Sequence, residues 1–136
     1  MSQLDALQAA LAGEHAALYA LGIAGGHLHG DRYLAASALY DDHRDRRDQL
    51  TDLIRTSDAD PAAAEPAYDL PSPVNTPAAA TALIRLVEHR LTAVYAELVE
   101  AAEDRPVRAL AVQALIATAR EVTRWGGPPT AFPGSA

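Results

Sequence analysis

Three side chains stand where ionisable chemistry is least expected: Glu14, His43 and Glu88. Each interrupts a run of apolar residues spaced alternately three and four apart, the spacing of a helix seam. The first run is Leu4, Leu7, Leu11, Glu14, Leu18, Leu21, Gly25. The second is Ala36, Tyr40, His43, Arg47, Leu50, Ile54, and the third is Ile84, Glu88, Leu91, Tyr95, Leu98, Ala102. A carboxylate in an apolar interior is costly unless something pairs with it. Each of the three lies near the middle of its run, so all three are expected to meet at one depth. Two carboxylates and an imidazole suit an iron, manganese or zinc ion, with Tyr40 or water completing the shell. The same groups also satisfy one another without metal, with a protonated His43 between the two glutamates and Tyr40 donating. The expected buried polar cluster is therefore Glu14, Tyr40, His43, Glu88 and Tyr95.

The elements that must position these groups are four helices. Ser2 and Asp5 form a variant capping box for the first, and Gly25, Gly26 and Gly30 mark its end. The second is expected from about Asp31 to about Thr56. Its other face carries Asp41, Asp42, Asp45 and Asp48 with Arg44 and Arg46. Asp42 with Arg46, and Arg44 with Asp48, are i,i+4 pairs, the pattern of a solvated face. Thr76 caps a third helix with Pro77 at its first position, and this helix is expected to reach Glu103. Asp104 opens a fourth that ends at Trp125, where Gly126, Gly127, Pro128 and Pro129 stop it. Its apolar stripe is expected to be Val112, Leu115, Ile116, Ala119 and Val122. Residues 126–136 read as an irregular tail.

Between the second and third helices lie residues 57–76, with Pro61, Pro66, Pro71 and Pro73, which forbid helix. A compact domain needs a reason for such a long link. A helix of about 26 residues is about 39 Å long, and an extended segment of this length covers that distance. Helices two and three are therefore expected to run parallel or to sit diagonally, joined by a crossover that Tyr68, Leu70 and Val74 pin down. Residues 1–125 then form one bundle of two helix pairs.

Composition narrows the function classes. The chain has 136 residues, 18 acidic and 11 basic, no cysteine and a net charge of -7. All the basic residues are Arg. Disulfides and thiolate metal sites are excluded. No basic stripe exists to bind a phosphate backbone, so no nucleic-acid partner is expected. Glu14 and His15 break up any export signal, no apolar run is long enough to span a bilayer, and a cytoplasmic location is expected. The nucleophile-elbow, phosphate-loop and dinucleotide glycine patterns are absent. Apolar residues outside the seams, such as Leu83, Leu86, Val87, Val94, Val107 and Leu110, point to a partner surface, most simply a homodimer, or equally to a face capped by the Pro-rich crossover or by the tail through Phe132. His15 and His89 sit one position beyond their glutamates and point elsewhere on the helix. His27 and His29 read as surface histidines.

A glutamate on each of two helices with Glu-x-x-His on the other two is the di-iron carboxylate pattern, and here the chain resembles the ferritin-like superfamily. Glu14 and Glu88 take the helix-one and helix-three ligand positions. On helix two the motif stands as Tyr40-Asp41-Asp42-His43, with the carboxylate replaced by a phenol. On helix four, Ala114, Leu115, Ala117 and Thr118 hold the corresponding depth, and Glu121 is followed by Arg124 instead of His. The chain is also similar to an uncharacterised family of bacterial ferritin-like domains, through Glu14-His15-Ala16-Ala17-Leu18-Tyr19, His43 to Leu50, and Pro66-Ala67-Tyr68-Asp69-Leu70-Pro71-Ser72-Pro73-Val74. The resemblance implies an all-α, ferritin-like up-down-up-down four-helix bundle with one long crossover and a degenerate di-iron site. Two functions are expected from it: a metal-free structural or protein-interaction module, or a mononuclear or weak dinuclear metal-dependent oxidoreductase using Glu14, His43 and Glu88.

Overall fold

The computed structural model describes residues 1–135; Ala136, the last residue of the expected tail, lies outside them. Four helices, α1 (Gln3–Gly25), α2 (Gly30–Thr56), α3 (Pro77–Ala101) and α4 (Arg105–Arg124), make up the regular structure, and the described residues contain no strand. The starts of α1 and α3 follow from their caps. Ser2 and Asp5 satisfy each other's backbone N–H groups, and Thr76 accepts from the Ala79 N–H. At the start of α4 the Asp104 side chain makes no cap bond. It accepts instead from Gln3 Nε2 at 2.9 Å, while Gln3 Oε1 takes the N–H groups of Glu103 and Asp104. A side chain of α1 thus closes the α3–α4 corner, and α3 ends at Ala101, short of the expected Glu103.

Two apolar clusters fix the direction of each helix. One gathers the first half of α1 (Leu7, Leu11) with the second halves of α2 (Leu50, Ile54) and α3 (Leu98) and the first half of α4 (Val107). The other gathers the end of α1 (Leu21) with the beginnings of α2 (Leu39) and α3 (Ile84) and with Trp125 beyond α4. The directions are therefore up, down, down, up. The strictly alternating up-down-up-down order is corrected, whereas α2 and α3 do run parallel, because the crossover returns the chain to the end it left.

The crossover climbs along α1. Gln8 binds it at both amide atoms, donating to the Asp60 carbonyl at 2.7 Å and accepting from the Ala62 N–H at 2.8 Å. His15 Nε2 donates to the Ala62 carbonyl at 2.9 Å, so this histidine is a tether. Higher up, the Tyr68 ring lies 5.6 Å from that of Tyr19, and Leu70 and Val74 pack on the second cluster.

On α4 the expected stripe is rotated. The buried residues are Val107, Ala111, Ala114, Thr118 and Val122, and the larger Val112 and Ile116 are 39% and 47% exposed. Small side chains face inward because they let α4 approach α3 closely, which overrides the preference for burying the largest aliphatics. Val107 and Leu83, expected on a partner surface, are buried within the fold. The end of α4 is anchored by Trp125, which is 1% exposed, with the Arg32 guanidinium 4.9 Å from its ring and its carbonyl accepting from Arg85. Beyond it, residues 126–135 contain no helix and pass from Arg85 to Thr92 and Ala96 along α3. Gly134, at φ +84, is seated there so closely that an added Cβ would lie 2.6 Å from both the Thr92 carbonyl oxygen and the Ala96 Cβ.

Removing the same side chain from the two sides of the core separates these placements. Ile84→Ala is expected to cost about 2–5 kcal/mol in urea unfolding, and Ile116→Ala no more than about 0.5 kcal/mol.

Candidate functional site

Between the two apolar clusters, polar side chains of three helices meet. α1 supplies Glu14, α2 supplies His43 and Arg46, and α3 supplies Glu88 and Tyr95. Glu14, His43, Glu88 and Tyr95 are each 0% exposed. Gly13 beside Glu14 makes room for the contact, since a Cβ there would stand 3.0 Å from Leu91 Cδ2 on α3.

The imidazole lies between the carboxylates. His43 Nδ1 is 2.5 Å from Glu14 Oε2, and Nε2 is 2.5 Å from Glu88 Oε1. Both ring nitrogens face acceptors, so the imidazolium, with two N–H groups, is the form that donates to both. The Tyr95 hydroxyl donates to Glu14 Oε1, and Arg46 Nη1 approaches the same oxygen at 3.4 Å. The Arg46 guanidinium also stands 5.7 Å from the centre of the Tyr95 ring. Glu14 thus gathers donors from three side chains. Glu88 is held only through Oε1; its Oε2 is buried and has no hydrogen-bond partner among the described residues.

Burial and charge act differently on each group. Burial would lower the His43 pKa, but the hydrogen bonds and charges of Glu14 and Glu88 more than offset it and raise the ring to about 9. Burial raises Glu88 above the ordinary carboxylate range, and the bond from His43 only partly opposes it. Burial also pushes the Tyr95 phenol well up, reinforced by the charge of Glu14. Arg46, desolvated but facing Glu14, is held more firmly protonated than a free guanidinium.

Four of the five residues expected in the cluster therefore sit together. Tyr40 does not join them. It is half-buried against the second apolar cluster, and its hydroxyl makes no hydrogen bond to Glu14, His43 or Glu88. Leu39 takes the inward slot one turn before His43, because the α2 seam runs Ala36, Leu39, His43. Arg46, placed by its neighbours on a solvated face, turns inward to Glu14 instead of pairing with Asp42. Its position three residues after His43, on the same helix face, was the available signal. The outer ion pairs of α2 are Arg44–Asp41 and Arg47–Asp48, not the i,i+4 pairs expected. From α4 only Ala114 and Thr118 turn inward between the clusters, and the Thr118 hydroxyl is spent on the Ala114 carbonyl of its own helix. Glu121 lies at the helix end, accepting from Trp125 Nε1 at 3.0 Å. His29 and His89 are exposed and His27 is half-buried. Among the described residues, no group of three or more His, Asp or Glu side chains is arranged to hold a metal ion.

Residues 6–136 match a protein family described as Domain of unknown function (DUF4439). The chain belongs to this family. The DUF4439 chain is also similar to a solved structure, the crystal structure of a conserved hypothetical protein, rv2844, from Mycobacterium tuberculosis. The two are 30% identical, the match covers 90% of this chain and 93% of that one, and the TM-score is 0.87. No curated protein matches the chain. Within this DUF4439 domain, no helix among the described residues is long and apolar enough to cross a membrane.

Two outcomes follow from the protonation pattern. The folded-state pKa of His43 is raised from 6.5 to about 9, so its contribution is complete below pH 6.5 and is lost as pH rises through 9. Glu88 is shifted upward as well, so both groups make the folded chain bind more protons than the unfolded one. Urea unfolding is expected to show stability falling by about 3 kcal/mol over that alkaline window, and His43→Leu is expected to flatten the slope. The two carboxylates should also differ. Glu14→Gln sets an amide among three donors and is expected to cost about 2–4 kcal/mol, whereas Glu88→Gln, which resembles the protonated acid, should cost under about 1 kcal/mol.

Proposed function

We propose that this DUF4439 domain is a ferritin-like bundle whose inherited di-iron site has become a hydrogen-bonded core, and that it works metal-free as a structural or protein-interaction module, most simply as a homodimer. The observation that carries this reading is the seat of His43. The imidazole fills the space between Glu14 and Glu88 and gives each of them one ring N–H. A shared ion needs the carboxylates to converge with one ring nitrogen on a common point, and here they approach opposite edges of the ring. The residues that α4 turns inward at this depth, Ala114 and Thr118, add no carboxylate. The parallel α2 and α3 and the long crossover support the ferritin-like ancestry. Tyr33 and Leu34 at the start of α2 and Val112 on α4 are exposed apolar side chains suited to contact with a second chain.

One observation favours a second reading, a mononuclear or weak dinuclear metal-dependent oxidoreductase using Glu14, His43 and Glu88. Glu88 Oε2 is a buried acceptor without a partner among the described residues, and a cation reaching it would relieve that cost.

Metal analysis and melting curves separate the two. Protein purified without chelator is expected to carry far less than one ion per chain. Its melting temperature is expected to stay unchanged with added Fe(II), Mn(II) or Zn(II). Near-stoichiometric metal, or a metal-dependent rise in melting temperature that Glu88→Ala abolishes, overturns the first reading in favour of the second.

A further inference from the structure

A cavity of about 1000 Å³ opens on the far side of α3 from α1, between α3, α4 and the returning tail. Its floor is aliphatic, built from Leu86 of α3 and Ile116 and Ala119 of α4, and the tail covers it from Pro128 to Ser135. This is at the upper end of the size of sites for small organic ligands, about 300–1000 Å³, and such sites are mostly apolar with a few placed polar groups. The polar lining combines the hydroxyl side chains of Thr92, Thr123, Thr130 and Ser135 with two arginines and one histidine. Arg85, His89 and Arg120 line the cavity and no Asp or Glu does, in a chain with 18 acidic and 11 basic residues. Arg85 Nη1 already serves the Trp125 carbonyl. Arg120, on the outer part of α4, makes no ion pair among the described residues. Phe132 of the tail lines the cavity and is still 79% exposed, an aromatic face left uncovered at its mouth.

The tail is held in this position by its own chemistry. Gly134 fits against Thr92 and Ala96 where no side chain fits, and Gly127 is similarly close to Val122 and Arg85. The strap is fastened at both ends, and the space beneath it is not filled by the chain's own side chains.

We propose that this cavity binds a single-chain amphiphile with an anionic head, a medium- to long-chain carboxylate taken from solution, with the chain beneath the tail against Leu86 and Ile116 and the head at Arg120 and His89. Charge complementarity selects this occupant over a neutral or cationic one. Apolar walls select it over a small hydrophilic anion, which would leave most of the cavity in contact with nothing it can hydrate. The binding goes beyond the structural reading of the buried cluster and does not depend on whether that cluster holds metal.

Calorimetric titration of the full chain with decanoate, kept below its micelle concentration, tests this. Decyltrimethylammonium and acetate serve as controls for charge and for chain. Decanoate is expected to bind one to one, with both controls at least about tenfold weaker. Arg120→Gln is expected to weaken decanoate about tenfold. Ala82→Trp, at an exposed position lining the cavity, is expected to abolish binding while the melting curve stays that of the parent. Absence of decanoate binding, or equal binding of decanoate and the cationic detergent, overturns the proposal. So does a dimer in sedimentation that decanoate leaves intact and Ala82→Trp dissociates, since the face would then belong to a second copy of the chain.

Discussion

The energetic problem of this molecule is to keep two glutamates out of water at the same depth of one apolar core. Leaving either unpaired would cost more than most single contacts return. One imidazole solves most of it by presenting an N–H to each side, and the three helices must then hold their register to within the tolerance of a hydrogen bond. Aliphatic side chains alone would let α2 slide or rotate by a residue at modest cost. The Glu–His–Glu chain does not, because a shift of one position on any helix leaves a buried charge without its partner.

The pairing is unequal, and the inequality has a structural source. Glu14 sits where α2 and α3 both reach it, so Tyr95 and Arg46 arrive from different sides. Glu88 receives only the ring, and what α4 offers inward at mid-length is a methyl and a hydroxyl that is already engaged. The ring N–H of His43 is the one donor Glu88 receives, and burial accordingly raises its pKa. The partners that the two carboxylates find are the chain's own His43 and Arg46 side chains, which is chemically different from sharing a metal ion.

Much of this was legible in the chain itself. Glu14, His43 and Glu88 are marked because each breaks an apolar seam, and Tyr95 because it lies in the same seam as Glu88. The cap at Ser2, the Thr76–Pro77 start and the crossover are also local signals, and the parallel α2 and α3 follow from the length of that crossover. What was not legible depends on rotation about a helix axis. Tyr40 and Leu39 are neighbours and both apolar enough to be buried, and tertiary packing chose Leu39. Arg46 sits among alternating charges that read as solvent-facing, yet the demand of Glu14 for another donor draws it inward. On α4 the widest apolar stripe by size is not the buried one, because close helix approach favours Ala111, Ala114 and Thr118. Trp125, just past the last helical residue, continues the buried α4 spacing three residues after Val122, but its contacts with Arg32 and Arg85 have no local signal.

The helices are not held equally. α1 packs against both α2 and α3, and α3 against both α1 and α4, whereas α2 leans chiefly on α1 and α4 chiefly on α3. α2 also meets α3 through the His43–Glu88 hydrogen bond and the Arg46 guanidinium over the Tyr95 ring, and Arg32 reaches Trp125. The inner helices α1 and α3 are therefore each held on two sides and the outer helices on one. Amide exchange along the chain should then be graded by helix, slower in α1 and α3 than in α2 and α4. The buried Glu14–His43–Glu88 chain joins both inner helices to α2, so withdrawing that one outer helix would break both of its bonds at once.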